Sequence, residues 1–184
     1  VERHDVDAAL LQEAKRPEQV RDGWRVDPPA DDERRWRLSV PPLYRAADGT
    51  TKPTRRPFGS SIVATGGRTV VPRVPVELHQ SVDGELACSH PGQFAVADLR
   101  LDDGAQLTIV SLYGIWERMT DSGALYIDAT LHRAISDLAI VFQQRASSYV
   151  LVGGDLNLYS YSDGSAWSDR AMAVLSRLAL YGLE

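Results

Sequence analysis

Cysteine is almost missing from this chain of 184 residues, which contains Cys88 alone. A single thiol cannot form an internal disulfide or supply a zinc site built from several cysteines. The residues around Cys88 offer no activating pattern beyond His90, so an inert, partly buried thiol is favoured over a nucleophile. The histidines are scattered without the spacing of metal ligands, at His4, His79, His90 and His132.

The chain also lacks a long hydrophobic run. No segment approaches the roughly 20 apolar residues that a membrane helix needs, so no membrane span is expected. No basic stretch followed by an apolar one indicates a secretion signal. The first residue is not Met, so the sequence is interpreted as trimmed, and a cytoplasmic location is only a default expectation. The sequence sets no expectation for the oligomeric state.

Positive charge is in the minority, with 20 Lys and Arg residues against 25 Asp and Glu residues and a net charge of −5. This balance argues against a protein that coats nucleic acid. It does not exclude an enzyme that acts on phosphates, because carboxylates that bind a cation themselves contribute negative charge. Two segments reverse the local balance, and each is either a solvated basic loop or a phosphate-facing loop. They hold Arg34, Arg35 and Arg37 beside Trp36, and Lys52, Arg55 and Arg56 in TKPTRRP.

The composition that remains is that of a globular protein, with 43% hydrophobic and 24% charged residues. Its length predicts one domain, residues 1–184, with a proper core. Strands are predicted at 60–65, 94–101 and 107–113, the last two as a hairpin turning at Asp102-Asp103-Gly104. In the first arm of the hairpin, Phe94 and Val96 face one way, and Ala95 and Ala97 face the other.

Helices are predicted on either side of a strand at 149–152. Residues 122–144 repeat apolar side chains at helical spacing, with Asp121 or Ser122 as the N-cap. A second helix opens at 168–169 and ends near Gly182. The repeated apolar residues are Ile127, Leu131, Ile135, Leu138 and Phe142 in the first helix, and Met172, Leu175 and Leu178 in the second.

The proline-rich segment 28–57 is expected to be a loop interrupted by a short strand near 36–40. The mixture of hairpins and alternating helices favours an α/β layered sandwich built on a mixed sheet.

The stretch VLVGGDLN, residues 150–157, ends a buried strand with a carboxylate and an amide. Asp, Asn and Gly also form ordinary strand-to-loop exits, because they tolerate turn geometry and bond their own backbone. The functional interpretation is that Asp155 accepts a proton beside Asn157, which holds an oxyanion. Both side chains would leave one strand end toward the same side.

The stretch VDAALLQEAKRP, residues 6–17, leaves two structures open. Its residues are good helix formers, which would make Glu13 an ordinary surface glutamate. The alternative is a buried strand whose carboxyl end presents Gln12 and Glu13.

Four segments together resemble the endonuclease/exonuclease/phosphatase superfamily, which has the DNase-I-like fold. They are ALLQEA (9–14), FGSSIVAT (58–65), LTIVSLYG (107–114) and VLVGGDLN (150–157), in the family's order along nearly the whole chain. The resemblance implies a four-layer α/β sandwich with two mixed β-sheets face to face and helices outside. It implies metal-dependent cleavage of a phosphoester, with nucleic acid among the candidate phosphodiester substrates.

The resemblance also implies residue roles. Glu13 would bind Mg²⁺ or Mn²⁺, Asp155 would position or deprotonate the attacking water, and Asn157 would hold a phosphate oxygen. Arg55 and Arg56 are expected in the loop that shapes substrate recognition.

The chain departs from the family pattern at three places. Tyr113 stands where many members have histidine, and it either bonds the phosphate or packs on the sheet as a strand-end aromatic. A first strand with asparagine and a last strand with Asp-His are missing. The chain is therefore expected to be a fragment of an active enzyme, incomplete at both ends and with little activity alone. The alternative is an inactive relative that acts as a binding domain.

Overall fold

The computed structural model of the chain describes residues 6–40, 54–118, 125–144, 148–158 and 166–183. Within these ranges the protein is a mixed α+β structure in which strands outnumber helices. No helix in these ranges is long and apolar enough to cross a membrane. The strands are β1 (Ala8–Ala14), β2 (Arg25–Asp27), β3 (Leu38–Val40), β4 (Thr54–Arg56), β5 (Gly59–Ala64), β6 (Val70–Pro72), β7 (Val76–Glu77), β8 (Ala87–Cys88), β9 (Phe94–Arg100), β10 (Gln106–Tyr113), β11 (Glu117–Arg118), β12 (Leu125–Tyr126) and β13 (Ser148–Asp155). The helices are α1 (Asp128–Asp137), α2 (Ala139–Gln143) and α3 (Ala166–Leu180).

The first sheet has three antiparallel strands in the order β1-β5-β2. Residues 8–14 are therefore a strand, although their side chains favour a helix. The reason lies in the partner strand: Leu10 is opposite Ile62 on β5 and packs against the core around that isoleucine. Burial against a neighbouring strand outweighs an intrinsic helix preference of a few tenths of a kcal/mol per residue.

The second sheet has four strands in the order β13-β10-β9-β6 and is mixed, because β10 and β13 run parallel while the other pairs are antiparallel. The predicted β9–β10 hairpin is confirmed, and its turn is closed by the hydrogen bond from the Gly104 N–H to the Leu101 carbonyl, 3.0 Å. The predicted alternation along β9 is also confirmed. Phe94 and Val96 enter the core beneath the helices, whereas Ala95 and Ala97 enter the core that contains Ile62.

These two hydrophobic cores show how the two sheets and the helices are layered. Ile62, Ala95, Ala97 and Ile109 fill the space between the two sheets. On the other face of the four-stranded sheet, Val110 packs with the buried side chains of α1, α2 and α3. The described residues thus form sheet, sheet and helices, in that order, and the mixed α+β class is confirmed.

The predicted helix over 122–144 is shorter than expected. Leu125 and Tyr126 pair with Arg118 and Glu117 in a two-stranded ribbon, so their backbone is extended. The helix begins at Asp128 after Ile127, and it breaks at Leu138 into α1 and α2. The predicted caps, Asp121 and Ser122, lie outside the described residues. The predicted apolar face is confirmed, since all five of its side chains are buried, from Ile127 to Phe142.

The predicted buried face of the second helix is wrong in part. In α3, Leu178 is buried as expected, but Met172 and Leu175 are 54% and 43% exposed. Ala171 and Val174 take their place, at 6% and 0% exposure. Because α3 packs against α1, the contact stripe uses smaller side chains that allow close approach, and hydrophobicity alone does not identify it. The helix ends as predicted near Gly182, which has a φ of +68°.

Cys88 is buried, as expected, with 3% of its surface exposed. Burial and the nearby Asp137 carboxylate raise the pKa of its thiol to about 12. The thiol therefore stays protonated at neutral pH and behaves as a small apolar side chain.

Candidate active site

Two parallel strand ends bring three of the predicted site residues together. β10 and β13 lie in register so that Tyr113 is opposite Asp155. Just past the strands, the Gly114 N–H donates to the Asp155 carbonyl at 2.8 Å, and the Asn157 Nδ2 donates to the Gly114 carbonyl at 2.9 Å. The parallel register therefore places the tyrosine, the aspartate and the asparagine at one end of the sheet.

Glu13 reaches the same place from the other sheet. Its carboxylate Oε1 accepts a hydrogen bond of 2.6 Å from the Tyr113 hydroxyl, which is 100 positions away in sequence. The pairing of β1 with β5 is interrupted between Leu11 and Ala14, and Glu13 has a φ of +53°. This irregularity is a β-bulge, a feature that turns a side chain away from its regular direction. A positive φ is unfavourable for a glutamate, so the tertiary structure maintains the backbone here.

Polar contacts between the sheets hold the bulge in position. The Gln12 Nε2 donates to the Ser111 Oγ at 3.0 Å, and that hydroxyl donates to the Leu11 carbonyl at 3.0 Å. Ser111 is fully buried on β10, two residues before Tyr113. Its role was missed in the sequence analysis, although a serine inside the apolar stretch LTIVSLY is the signal that could have identified it.

Glycines allow the same strands to approach closely. A Cβ atom on Gly153 would lie 2.7 Å from the Leu10 Cδ1, so the leucine of β1 packs directly on the backbone of β13. A Cβ atom on Gly114 would lie 2.0 Å from the Leu156 carbonyl oxygen. A larger residue at Gly114 would therefore require a backbone shift, whereas at Gly153 the Leu10 side chain would have to move.

The electrostatics of the cluster keep the Tyr113 phenol neutral. Burial raises the pKa of Tyr113 to about 12, and the hydrogen bond and negative charge of Glu13 and the charge of Asp155 act in the same direction. A hydrogen bond with Asn157 acts in the opposite direction. At neutral pH the phenol is therefore a proton donor that orients the Glu13 carboxylate.

Asp155 and Asn157 also form an ordinary turn. The Asn157 N–H donates to the Asp155 Oδ1 at 2.9 Å, and Asn157 has a φ of +51°, which asparagine tolerates better than most residues. The two interpretations of this motif are therefore compatible, since one turn both ends the strand and presents its side chains. A cavity of about 600 Å³ opens beside them, lined on its far side by α3 through Ser168 and Met172.

The side chains of Arg55 and Arg56 lie on opposite faces of β4. The Arg56 guanidinium lies 5.9 Å from the centre of the Phe58 ring. That ring packs edge to face on the Tyr113 ring, with centres 6.3 Å apart. The Phe58 ring therefore lies between Arg56 and the cluster. Arg55 points to the opposite face of β4, where it lines a different cleft.

The side chains of the cluster offer oxygen ligands only: the carboxylates of Glu13 and Asp155 and the amide oxygen of Asn157. Among the described residues, no three or more His, Cys, Asp or Glu side chains are grouped as a metal site. Mg²⁺ and similar hard cations need only one or two protein carboxylates, because they retain several waters. This donor set is compatible with such a cation and does not resemble a zinc site, which uses nitrogen and sulfur ligands.

Neither a scan against protein-family models nor a search of curated proteins finds a significant match to this chain.

Proposed function

We propose that this protein is a divalent-metal-dependent phosphoesterase that cleaves a phosphodiester and belongs to the endonuclease/exonuclease/phosphatase superfamily. The observation that carries the proposal is the 2.6 Å hydrogen bond that joins Glu13 of one sheet to Tyr113 of the other, beside Asp155. Glu13 is exposed, but it differs from an ordinary surface glutamate by a bulge, a positive φ and a hydrogen bond from a buried tyrosine. The proposal includes a four-layer sandwich, of which the two sheets and one helical layer are the described part.

Each residue of the cluster has a separate task in this proposal. Glu13, oriented by the neutral Tyr113 phenol, holds Mg²⁺ or Mn²⁺ through its carboxylate. The cation, when bound, neutralises charge that develops on the phosphoryl oxygens and the leaving group. Asp155 accepts a proton from the attacking water, and Asn157 positions a phosphate oxygen through its amide.

These roles determine which bonds form and break in the reaction and where the protons go. The water oxygen forms a bond to phosphorus while the bond from phosphorus to the leaving oxygen breaks. The water proton passes to Asp155, and the leaving alkoxide takes a proton from solvent. Attack on phosphorus needs the water and the leaving group roughly in line, which a rigid strand end favours over a mobile loop.

Calorimetric titration with Mn²⁺ and Mg²⁺, followed by assays with bis(p-nitrophenyl) phosphate, DNA and RNA, tests the proposal. We expect saturable metal binding and only weak hydrolysis in the unmodified chain, with both reduced at least about 100-fold in Glu13→Gln. Glu18→Gln makes the same change of charge at an exposed position and is expected to leave both unchanged. Metal binding that is identical in Glu13→Gln, or absent in the unmodified chain, would overturn the proposal. Binding that depends on Glu13 without turnover of any substrate would instead favour a non-catalytic binding domain.

A further inference from the structure

A second cleft, separate from the strand-end cluster, is lined by arginines. Its volume is about 550 Å³, and Arg34, Arg37, Arg55 and Arg133 line it together with Glu77, the one carboxylate among the described lining residues. This is a strong local excess of positive charge in a chain whose net charge is −5. Charges of one sign in a concave surface reinforce one another and raise the local concentration of an oppositely charged ligand.

The β3–β4 hairpin separates this cleft from the proposed active site. Leu38 is opposite Arg56 in the register, and both lie on the face that contains Phe58 and Tyr113. Ser39 is opposite Arg55, and both line the cleft. Because neighbouring residues of a strand point to opposite faces, the hairpin gives one arginine to each side.

The side chains of Arg34, Arg37 and Arg55 are exposed rather than fixed in the protein core. Arg34 pairs with Glu77, and Arg37 pairs with Glu33, but all four side chains are at least 30% exposed. Exposed pairs of this kind contribute little to stability and can exchange partners. Within the described part of the chain, the exposed Arg55 side chain has no salt bridge. By contrast, the neighbouring Arg35 makes two hydrogen bonds of 2.8 Å to the buried Asp27 and serves the fold.

We propose that this cleft binds a polyphosphate group, meaning two or more linked phosphates, through Arg55, Arg37 and Arg34. A guanidinium donates two parallel hydrogen bonds to phosphate oxygens, and this geometry distinguishes phosphate from a simple point anion. The volume lies in the range of small-molecule sites and leaves room for more than one phosphate. The proposal is independent of phosphoesterase activity, because it concerns the opposite face of the hairpin.

Titration calorimetry with inorganic tripolyphosphate in metal-depleted buffer is the direct test. We expect saturable binding that is weakened about 10-fold or more in Arg55→Gln, since a charge-assisted bidentate contact is lost. Arg56→Gln is the matched control, because it removes the same charge from the adjacent residue on the other face. It is expected to change affinity less than about 2-fold, the effect of long-range charge alone.

The affinities of other anions, compared with that of tripolyphosphate, identify the class of ligand that the cleft binds. Orthophosphate and citrate are expected to bind at least about 10-fold more weakly than tripolyphosphate, because each carries less negative charge and offers fewer phosphate oxygens to the guanidinium groups. A nucleoside triphosphate that binds more tightly than tripolyphosphate would identify a nucleotide as the source of the phosphates, whereas equal affinity would identify inorganic polyphosphate. Equal weakening in Arg55→Gln and Arg56→Gln, equal affinity for citrate, or no saturable binding would overturn the proposal. Loss of binding in Glu13→Gln would also overturn it, because the ligand would then occupy the strand-end cluster.

Discussion

At the scale of single residues, the candidate active site includes two backbone conformations that most side chains disfavour. Glu13 and Asn157 are the non-glycine residues with positive φ in the described part of the chain, at +53° and +51°. Both belong to the cluster around Tyr113. Strain that coincides with a group of reactive side chains is a reason to infer function from the structure.

Replacing Glu13 by glycine and by alanine separates backbone strain from loss of the carboxylate. Both variants lose the hydrogen bond from Tyr113, but only glycine relaxes at positive φ. We expect Glu13→Gly to be more stable than Glu13→Ala by about 1 kcal/mol in the free energy of unfolding, measured with urea. Equal stabilities would mean that the bulge imposes no strain on residue 13.

His90 makes stability depend on pH. Its Nε2 is buried and has no hydrogen-bond partner among the described residues, and burial together with the positive charge of Arg133 lowers the pKa of His90 to about 4. The unfolded chain, with an ordinary pKa near 6.5, therefore binds this proton more readily than the folded chain. The stabilisation is fully present above pH 6.5 and is lost as the pH falls toward 4.

Urea unfolding at a series of pH values measures this effect. We expect the loss between pH 6.5 and 4 to be smaller by about 1–2 kcal/mol in His90→Gln, after allowance for partial solvent exposure. His79→Gln, at an exposed position, serves as the control. A pH profile unchanged in His90→Gln would assign the acid sensitivity to other groups.

At the scale of elements, the ends of β10 and β13 are packed as closely as backbones allow. A Cβ atom on Gly114 would lie 2.0 Å from the Leu156 carbonyl oxygen, and the loop that follows β13 would have to move. We expect Gly114→Ala to destabilise the protein by about 2–3 kcal/mol, measured by urea unfolding.

Gly66 provides the comparison for that substitution. It has a φ of +63° and open space around it, so Gly66→Ala is expected to cost only about 1 kcal/mol through backbone strain. If both substitutions cost the same, the contact of Gly114 with Leu156 is not as tight as the geometry indicates.

The individual strands and helices show which parts of the fold could be predicted from the sequence and which could not. Strands such as β5 and β9 were predicted because their residues alternate or form short apolar runs bounded by turn residues. β1 remained undecided because its residues favour a helix, and its pairing with β5, where Leu10 is opposite Ile62, decides its structure. The buried face of α3 was assigned wrongly because the contact with α1 selects Ala171 and Val174 by size rather than by hydrophobicity.

At the scale of the whole molecule, the sequence predicted which residues form the proposed catalytic group but not how they are arranged. The sequence identified Glu13, Tyr113, Asp155 and Asn157 through a family resemblance. It gave no sign of the bulge, the bond between Tyr113 and Glu13, or the separation of Arg55 from Arg56. These features depend on the register between strands and on the contact between two sheets, which no local pattern encodes.

One buried ion pair connects the end of β2 to the segment that precedes β3. Asp27 ends β2 of the three-stranded sheet, and Arg35, in the segment before β3, donates to both of its carboxylate oxygens at 2.8 Å. Burial raises the pKa of Asp27 even though Arg35 acts to lower it. The desolvation of this pair is therefore large, and removing one partner leaves an uncompensated buried charge.

We expect Arg35→Ala to destabilise the fold by about 3–5 kcal/mol, measured by urea unfolding. Arg68→Ala breaks exposed pairs with Asp7 and Asp102 and is expected to leave the free energy of unfolding nearly unchanged. The double substitution Asp27→Leu with Arg35→Met should recover much of the stability, because no charge remains buried. A double variant as unstable as Arg35→Ala would mean that the hydrogen-bond geometry itself is required.

The contact of Leu10 with the backbone at Gly153 has a consequence for the dimensions of the site. Two facing sheets usually stand apart by the length of two interdigitated side chains, about 10 Å. At Gly153 only one of the two strands contributes a side chain, so Leu10 acts as the spacer between β1 and β13. The gap between the strand that bears Glu13 and the strand that bears Asp155 is thus set by the size of residue 10. A shorter or longer side chain there would adjust that gap without altering either carboxylate.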